Sequence, residues 1–195
     1  TSRRFESFPR SYEKKERPVD RDRNENCYQN PWIKVREDKV IRPNKKFGIF
    51  AVVEQKGGVS VIPIDKKGNV YLTREYHYAV ERITTEAISG GIDSGETKLQ
   101  AAKRELKEET GLTAKKWTYL GVVDPLTTVV FSPNHMYLAE GLTQGKSEQE
   151  GTEAIRVIKV TFAKALKMVM NSEITHGASS IAILKISALK RGFKI

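Results

Sequence analysis

The sequence predicts an α+β fold, a sandwich of the α/β/α kind built around a sheet of short strands. Three observations carry that expectation. Short β-rich segments separated by turn residues occupy the middle of the chain, one strongly capped helix interrupts them, and two helices follow a second set of strands. With 195 residues, 38% of them hydrophobic and 30% charged, the chain can bury one full core and still carry a tail or a small second lobe.

Residues Thr1 to about Asn26 are rich in Arg, Lys, Glu and Asp and nearly lack aliphatic side chains. They cannot bury a core alone and are expected to form a flexible arm, or one that orders on a partner. From Trp32 the texture becomes β-rich, with strands expected over residues 32–36, 39–41, 48–55, 59–64 and 70–76. Turn chemistry separates them at Pro43-Asn44, Gly57-Gly58 and Lys67-Gly68-Asn69. A further strand over 83–88 feeds a glycine turn. Thr97 followed by Gln100 reads as a capping box, Leu99, Ala102 and Leu106 recur at helical spacing, and Gly111 suits the C′ position, so a helix is expected over 98–110. Strands over 117–123, 135–142 and 155–161 come next, then helices over 162–170 and 179–190. The last of these is apolar at Ile181, Ile183, Leu184, Ile186 and Leu189. The sequence contains no internal repeat.

A formal charge of +10 invites a nucleic-acid partner. The basic residues are scattered, however, with a mild concentration in the arm and at Lys185, Lys190, Arg191 and Lys194. No helix-turn-helix pattern, finger spacing or aromatic ribonucleoprotein motif accompanies them, so specific nucleic-acid binding is not expected. No apolar run is long enough to span a bilayer and no secretory pattern opens the chain, so a soluble, cytoplasmic protein without a membrane partner is expected. Cys27 stands alone, without neighbours spaced like zinc ligands, in keeping with a reducing compartment.

The chemistry concentrates in GGIDSGETKLQAAKRELKEETGL, residues 90–112. Glu105, Glu108 and Glu109 stand three and four residues apart on the expected helix, where their carboxylates crowd one face and repel one another. Surface ion pairs with Lys103, Arg104 and Lys107 would contribute about 0.3–0.5 kcal/mol each, too little to select glutamate at these sites. A divalent cation is the sharper reading, because Mg²⁺ takes oxygen ligands, keeps several waters and accepts phosphate oxygens from a substrate.

The spacing is Gly90, five residues, Glu96, seven residues, Arg104-Glu105-Leu106, one residue, Glu108-Glu109, one residue, Gly111-Leu112. In this it resembles the signature of the Nudix hydrolase family throughout. The resemblance implies the Nudix α/β/α sandwich with a mixed β-sheet. It also implies hydrolysis of a nucleoside diphosphate linked to another moiety, with water attacking phosphorus in a reaction dependent on Mg²⁺ or Mn²⁺. On that basis Glu105 and Glu109 are expected metal ligands, Glu108 a further or water-mediated ligand, and the backbone carbonyl of Ser89 completes the shell. Glu96 and Arg104 are expected to tie the preceding loop to the helix and orient a ligand. The general base is expected outside the box, on the acidic stretch SEQEGTEA with Glu148, Glu150 and Glu153; Glu153 is the first choice and Glu150 the second.

Beyond the box, NPWIKVREDKVIRP, REYHYAVERITTEAISGGIDSGE and FSPNHMYLA resemble the ADP-ribose and nucleoside diphosphate sugar pyrophosphatases, and the likeness runs over about residues 29–189. It implies a substrate of that class, a homodimer, and a division into a charged arm (1–28), an N-terminal hairpin able to pack on a partner subunit (29–46) and a hydrolase domain (47–195). Arg74 is a candidate phosphate ligand, Trp32 and Tyr28 are candidates to stack on a base, and His135 is a candidate substrate contact. Against these stand a solvated strand-edge arginine, core or interface aromatics, and a histidine facing a neighbouring strand. His176 reads as a residue at a helix start. The chain departs from the subfamily at Glu75-Tyr76-His77, where glutamine, tyrosine and arginine are common, and at Asn134-His135. A dinucleotide, a coenzyme or a capped RNA end is the alternative substrate, and a binding module without catalysis is the alternative class.

Overall fold

The computed structural model describes residues 20–145 and 155–194, with side chains from Glu25 onward. The chain divides into two compact units, Thr1–Lys56 with Asp124–Ser132 and Gly57–Val123 with Pro133–Ile195.

The first unit holds a four-stranded sheet in the order β1-β2-β3-β9, from β1 (Asp20–Gln29), β2 (Ile33–Ile41), β3 (Phe47–Gln55) and β9 (Val130–Phe131). The first three strands are antiparallel, and β9 joins β3 in parallel. Strand β1 begins inside the stretch expected to be an arm and runs on to Gln29. Its sequence, DRDRNENCYQ, has no hydrophobic period, and the ladder with β2 forms it, with register shifts at Arg21/Arg23 and Asn26/Tyr28. Strand β2 also runs unbroken where two pieces were expected. Arg36 and Asp38 are both buried, and the Arg36 Nε donates to Asp38 Oδ1 at 3.0 Å, so the charges that broke the apolar pattern satisfy each other inside the strand.

The second unit is built on a mixed sheet in the order β11-β5-β4-β10-β8. Its members are β4 (Gly58–Ile64), β5 (Asn69–His77), β8 (Leu112–Val123), β10 (Asn134–Gln144) and β11 (Arg156–Thr161). Strand β10 runs parallel to β4 and antiparallel to β8. Three helices cover the sheet: α1 (Lys98–Thr110), α2 (Phe162–Met170) and α3 (Gly177–Lys190). Strand β8 begins five residues before its expected start, because its polar opening pairs with the end of β10 down to Leu112↔Gln144. The sequence alone gives that opening no apolar alternation.

Period-two alternation sorts the sheet's two faces into two cores. Val59, Val61, Tyr137 and Ala139 meet Ala101, Ala102 and Leu106 of α1 on one side. Ile62, Ile64, Met136 and Leu138 meet Ala182, Ile183 and Ile186 of α3 on the other. The unit is therefore an α/β/α sandwich. Helix α1 starts with Thr97 accepting from the Gln100 backbone N–H while the Gln100 side chain accepts from Thr97 N. It ends at Gly111, whose φ of 70° is readily adopted by a residue without Cβ.

Leu106 is fully buried between α1 and the sheet. Leu106→Ala should lower unfolding stability by about 3–5 kcal/mol, measured by urea denaturation. A loss below about 1 kcal/mol would show that this core can collapse around the missing side chain.

Candidate functional site

The site begins with a split in the sheet. Strands β4 and β5 leave the turn at Asp65–Gly68 and pair at Ile64↔Val70, and then they diverge. The wedge between them is filled by β6 (Arg82–Glu86), which pairs with β5, and β7 (Ile88–Gly91), which pairs with β4. Residues 83–88 were expected as a single strand. The break falls at Ala87, whose backbone N–H donates to Ser179 Oγ on α3 at 2.8 Å.

The wedge and α1 enclose a pocket of about 190 Å³. Strand β5 contributes Thr73, Glu75 and His77, β6 Glu86, and β7 Ser89, Gly90 and Gly91; Glu105 and Glu109 rise from α1, and Ile155 completes the lining. Glu105 and Glu109 stand one helical turn apart on the same row. Glu109 is 7% exposed, and its Oε1 accepts from the Ser89 backbone N–H at 3.3 Å. Gly90 has a steric reason. A Cβ there would overlap the Glu105 carboxylate, so glycine lets that side chain lie directly against the backbone of β7.

One guanidinium organises the approach to this row. Arg104 donates from Nε to Glu96 Oε1 at 3.0 Å, and from Nη2 to Glu96 Oε2 at 3.1 Å and the Gly91 carbonyl at 2.8 Å. From Nη1 it donates to Glu105 Oε1 at 2.7 Å and Glu108 Oε2 at 3.0 Å. The bond from Arg104 holds the Glu96 carboxyl below its ordinary value of 4.5, against an opposing push from burial.

Glu105, Glu109 and Ser89 thus meet in one pocket, with Glu96 and Arg104 at its border. Glu108 turns towards Arg104 and is not part of the lining. Arg74 is exposed and alternates along β5 with the lining residues Thr73 and Glu75, so it faces the other way. His135 is buried on β10 and its Nδ1 lies 2.8 Å from the Tyr119 hydroxyl. Tyr28 and Trp32 are exposed in the first unit, Trp32 at 74%. His176 is the N-cap residue of α3. Glu148, Glu150 and Glu153 lie outside the described residues. The lining residues Thr73, Glu75, His77 and Glu86 were not among the expected site residues. For the first three the available signal was the period of β5, which puts them on one face; Glu86 carried none, because its place depends on the long-range pairing of β6.

The carboxylates of Glu75, Glu86, Glu105 and Glu109 make this a pocket of hard oxygen donors, with Ser89, Gly90 and Gly91 of β7 beside them. Among the described residues, no three acidic, histidine or cysteine side chains converge as a ready-made cage. The donor set therefore fits a cation that needs one or two carboxylates and completes its shell with water and substrate phosphate, which is the habit of Mg²⁺.

This sandwich with its glutamate row defines the class. Residues 54–174 match the NUDIX domain, and residues 24–53 match the nucleoside diphosphate sugar hydrolase N-terminal domain. The chain belongs to the Nudix family and is a Nudix hydrolase related to ADP-ribose pyrophosphatases. It is 30% identical to the ADP-ribose pyrophosphatase of Bacillus subtilis, over 82% of this chain and 87% of that one. It is 32% identical to the ADP-ribose pyrophosphatase of Mycobacterium tuberculosis, over 82% and 78% respectively. A crystal structure of an ADP compounds hydrolase shares the fold, with a TM-score of 0.80 at 19% identity over 90% of this chain and 96% of the other.

The pairing of Glu96 with Arg104 carries a sign with pH. A carboxyl whose folded pKa is depressed adds stability that is present above its ordinary value of 4.5 and is lost as pH falls through the folded value. Glu96→Gln should therefore be less stable than the parent chain at neutral pH, and the two denaturation curves should converge as pH drops below 4.5. A gap independent of pH would assign the loss to something other than the ion pair.

Proposed function

We propose that this protein hydrolyses the pyrophosphate bond of ADP-ribose or another nucleoside diphosphate sugar in a reaction dependent on Mg²⁺ or Mn²⁺. The observation that carries the reading is the Glu105–Glu109 row set against the glycine backbone of β7 in a pocket of oxygen donors. The two pyrophosphatase relatives, each similar over most of both chains, support the choice of substrate.

In this reading Glu105, Glu109 and the Ser89 carbonyl would hold the cation, and Glu108 would join directly or through water on leaving its bond with Arg104. When bound, the cation neutralises phosphate charge and makes water more acidic. The chain's own residues do the rest. Arg104 and Glu96 fix the position of Glu105 and keep the loop of residues 91–96 against the helix. Glu153, or Glu150 in its place, takes the proton of the attacking water. Ile155, the residue that follows their stretch in the sequence, lines the pocket, and that adjacency favours the assignment. Water adds to one phosphorus as the bridging anhydride bond breaks, leaving a nucleoside monophosphate and a sugar phosphate.

A homodimer belongs to the same proposal, with residues 29–46 as its hairpin element. The exposed apolar side chains Trp32, Phe47, Ile49 and Phe50 on the first unit support it, since such surface marks an interaction site. Trp32 and Tyr28 would stack on the base.

The test is hydrolysis of ADP-ribose, ADP-glucose, UDP-glucose, GDP-mannose, dinucleotides and capped RNA, with Mg²⁺ or Mn²⁺ and with chelator. Cleavage of a nucleotide sugar to a monophosphate, abolished by chelator, is expected; no cleavage of any sugar nucleotide would sink the proposal. Glu109→Gln should lower kcat on the order of 10²–10³-fold or more while the circular dichroism spectrum stays unchanged. A variant with near-parental turnover would remove Glu109 from the metal site.

A further inference from the structure

The break between β6 and β7 falls on one residue that belongs to neither ladder. Glu86 closes the pairing with β5 at Thr73 and Ile88 opens the pairing with β4 at Val61, so the main-chain groups of Ala87 must find partners elsewhere. Two hydroxyls supply them. The Ala87 N–H donates to Ser179 Oγ at 2.8 Å, and Thr73 Oγ1 donates to the Ala87 carbonyl at 3.5 Å. Ser179 is fully buried, in the stripe that α3 buries with Ala178, Ala182, Ile183 and Ile186. Alanine would pack as well there, and a hydroxyl in such a place costs hydration unless it is bonded. The same Oγ lies 2.8 Å from Nδ1 of His176, the N-cap residue of α3, and that Nδ1 is 3.3 Å from Glu86 Oε2. Burial pushes the His176 pKa below its ordinary value, against the pull of Glu86, which favours a ring with a single proton. The carboxylate beside Nδ1 puts the proton on that nitrogen, so one N–H is shared between Glu86 and Ser179. The other Glu86 oxygen, Oε1, accepts from the Thr84 hydroxyl at 2.6 Å.

Glu86, immediately before the break, and Ser89, two residues after it, line the pocket together with Glu105 and Glu109. A shift of the Ala87 peptide therefore carries the Glu86 carboxylate and the Ser89 backbone with it. We propose that Ser179 and His176 are positioning residues for the cation of this pocket. Ser179 fixes the peptide at the break, His176 fixes the Glu86 carboxylate, and together they set where β6 and β7 stand against the Glu105–Glu109 row. Neither residue lines the pocket itself. The inference rests on the cation in the proposed function and extends its support to α3. Without the Ser179 hydroxyl the Ala87 N–H would be buried with its acceptor gone, a state that the break relieves only by moving.

Parent, Ser179→Ala, Ser179→Thr and His176→Ala proteins are compared in two measurements. One is binding of Mn²⁺ without substrate, read from the electron paramagnetic resonance of the free ion, and the other is the Mg²⁺ concentration that half-activates hydrolysis of ADP-ribose. Thermal melts set the range in which each variant is folded, and both measurements are made below it. Ser179→Ala and His176→Ala should each weaken Mn²⁺ binding and raise the half-activating Mg²⁺ concentration about tenfold, with KM for ADP-ribose at saturating Mg²⁺ nearly unchanged. Ser179→Thr keeps the hydroxyl and should restore most of what alanine loses. A lowered melting temperature with parental Mn²⁺ affinity in Ser179→Ala would overturn the proposal, because the hydroxyl would then serve stability alone. A folded Ser179→Thr protein as weak as Ser179→Ala would overturn it too, by tracing the effect to packing. His176 is partly exposed, so His176→Ala decides where the buried variants do not fold, and parental Mn²⁺ affinity in that protein would overturn the proposal. A parent that binds Mn²⁺ but cleaves no nucleotide sugar would end the substrate reading, and the Mn²⁺ affinities would still decide this one. A parent with neither Mn²⁺ binding nor cation-dependent cleavage would end both.

Discussion

The arrangement depends first on a single guanidinium. Arg104 stands among Asp93, Glu96, Glu105 and Glu108, and its five donor hydrogens satisfy two oxygens of Glu96, one of Glu105, one of Glu108 and the Gly91 carbonyl. A further carboxylate oxygen, from Asp93, lies 3.7 Å away. Lysine could not substitute, because a point charge on a flexible stem cannot hold both oxygens of Glu96 in one plane while reaching a carbonyl. Through these bonds the loop between β7 and α1 is tied to the helix it precedes. Glu108 is drawn aside at i+4 from Arg104, while Glu105 and Glu109 keep the row that faces β7. The crowding of glutamates on one helix is thereby divided into two functions, one part neutralised locally and one part presented to the pocket.

The second constraint is topological. A continuous β4–β5 ladder would leave no cleft, because strands about 4.8 Å apart close the sheet. Here the ladder has one pair, and β6 and β7 occupy the wedge. Their junction at Ala87 is held by Ser179, so α3, on the face opposite α1, sets where the pocket's far wall stands. The two cores are thus coupled at the site. One carries the glutamate row on α1 and the other braces Glu86 through His176.

What the sequence discloses follows from how local the code is. Helix α1 was legible in full because its cap, its stripe and its terminal glycine are all written within fifteen residues, and the glutamate spacing travels with them. Helix α2 was equally local, from the Thr161 cap to Met170. Strands β1 and β9 were not legible, since one has alternating charges without an apolar face and the other is two residues long; only their partners make them strands. The break at Ala87 and the place of Glu86 depend on a hydroxyl ninety-two residues later. Half of the pocket was therefore readable as a motif. The other half exists only as a consequence of pairing.

Glu109 shows where the two kinds of information conflict. Ala102, Leu106 and Glu109 fall at i, i+4 and i+7, the stripe by which an amphipathic helix packs on a sheet. A leucine at the third place would extend the core, and a carboxylate at 7% exposure gives up hydration that the apolar neighbours do not return. The Ser89 N–H at 3.3 Å compensates part of that loss. Local pattern and packing both argue against glutamate at this position, and a sequence that keeps it has been shaped there by the pocket rather than by the core. The same reasoning applies to Gly90, where any side chain would add to the strand but would displace Glu105. The two departures from a good fold sit in the same pocket, one on β7 and one on α1.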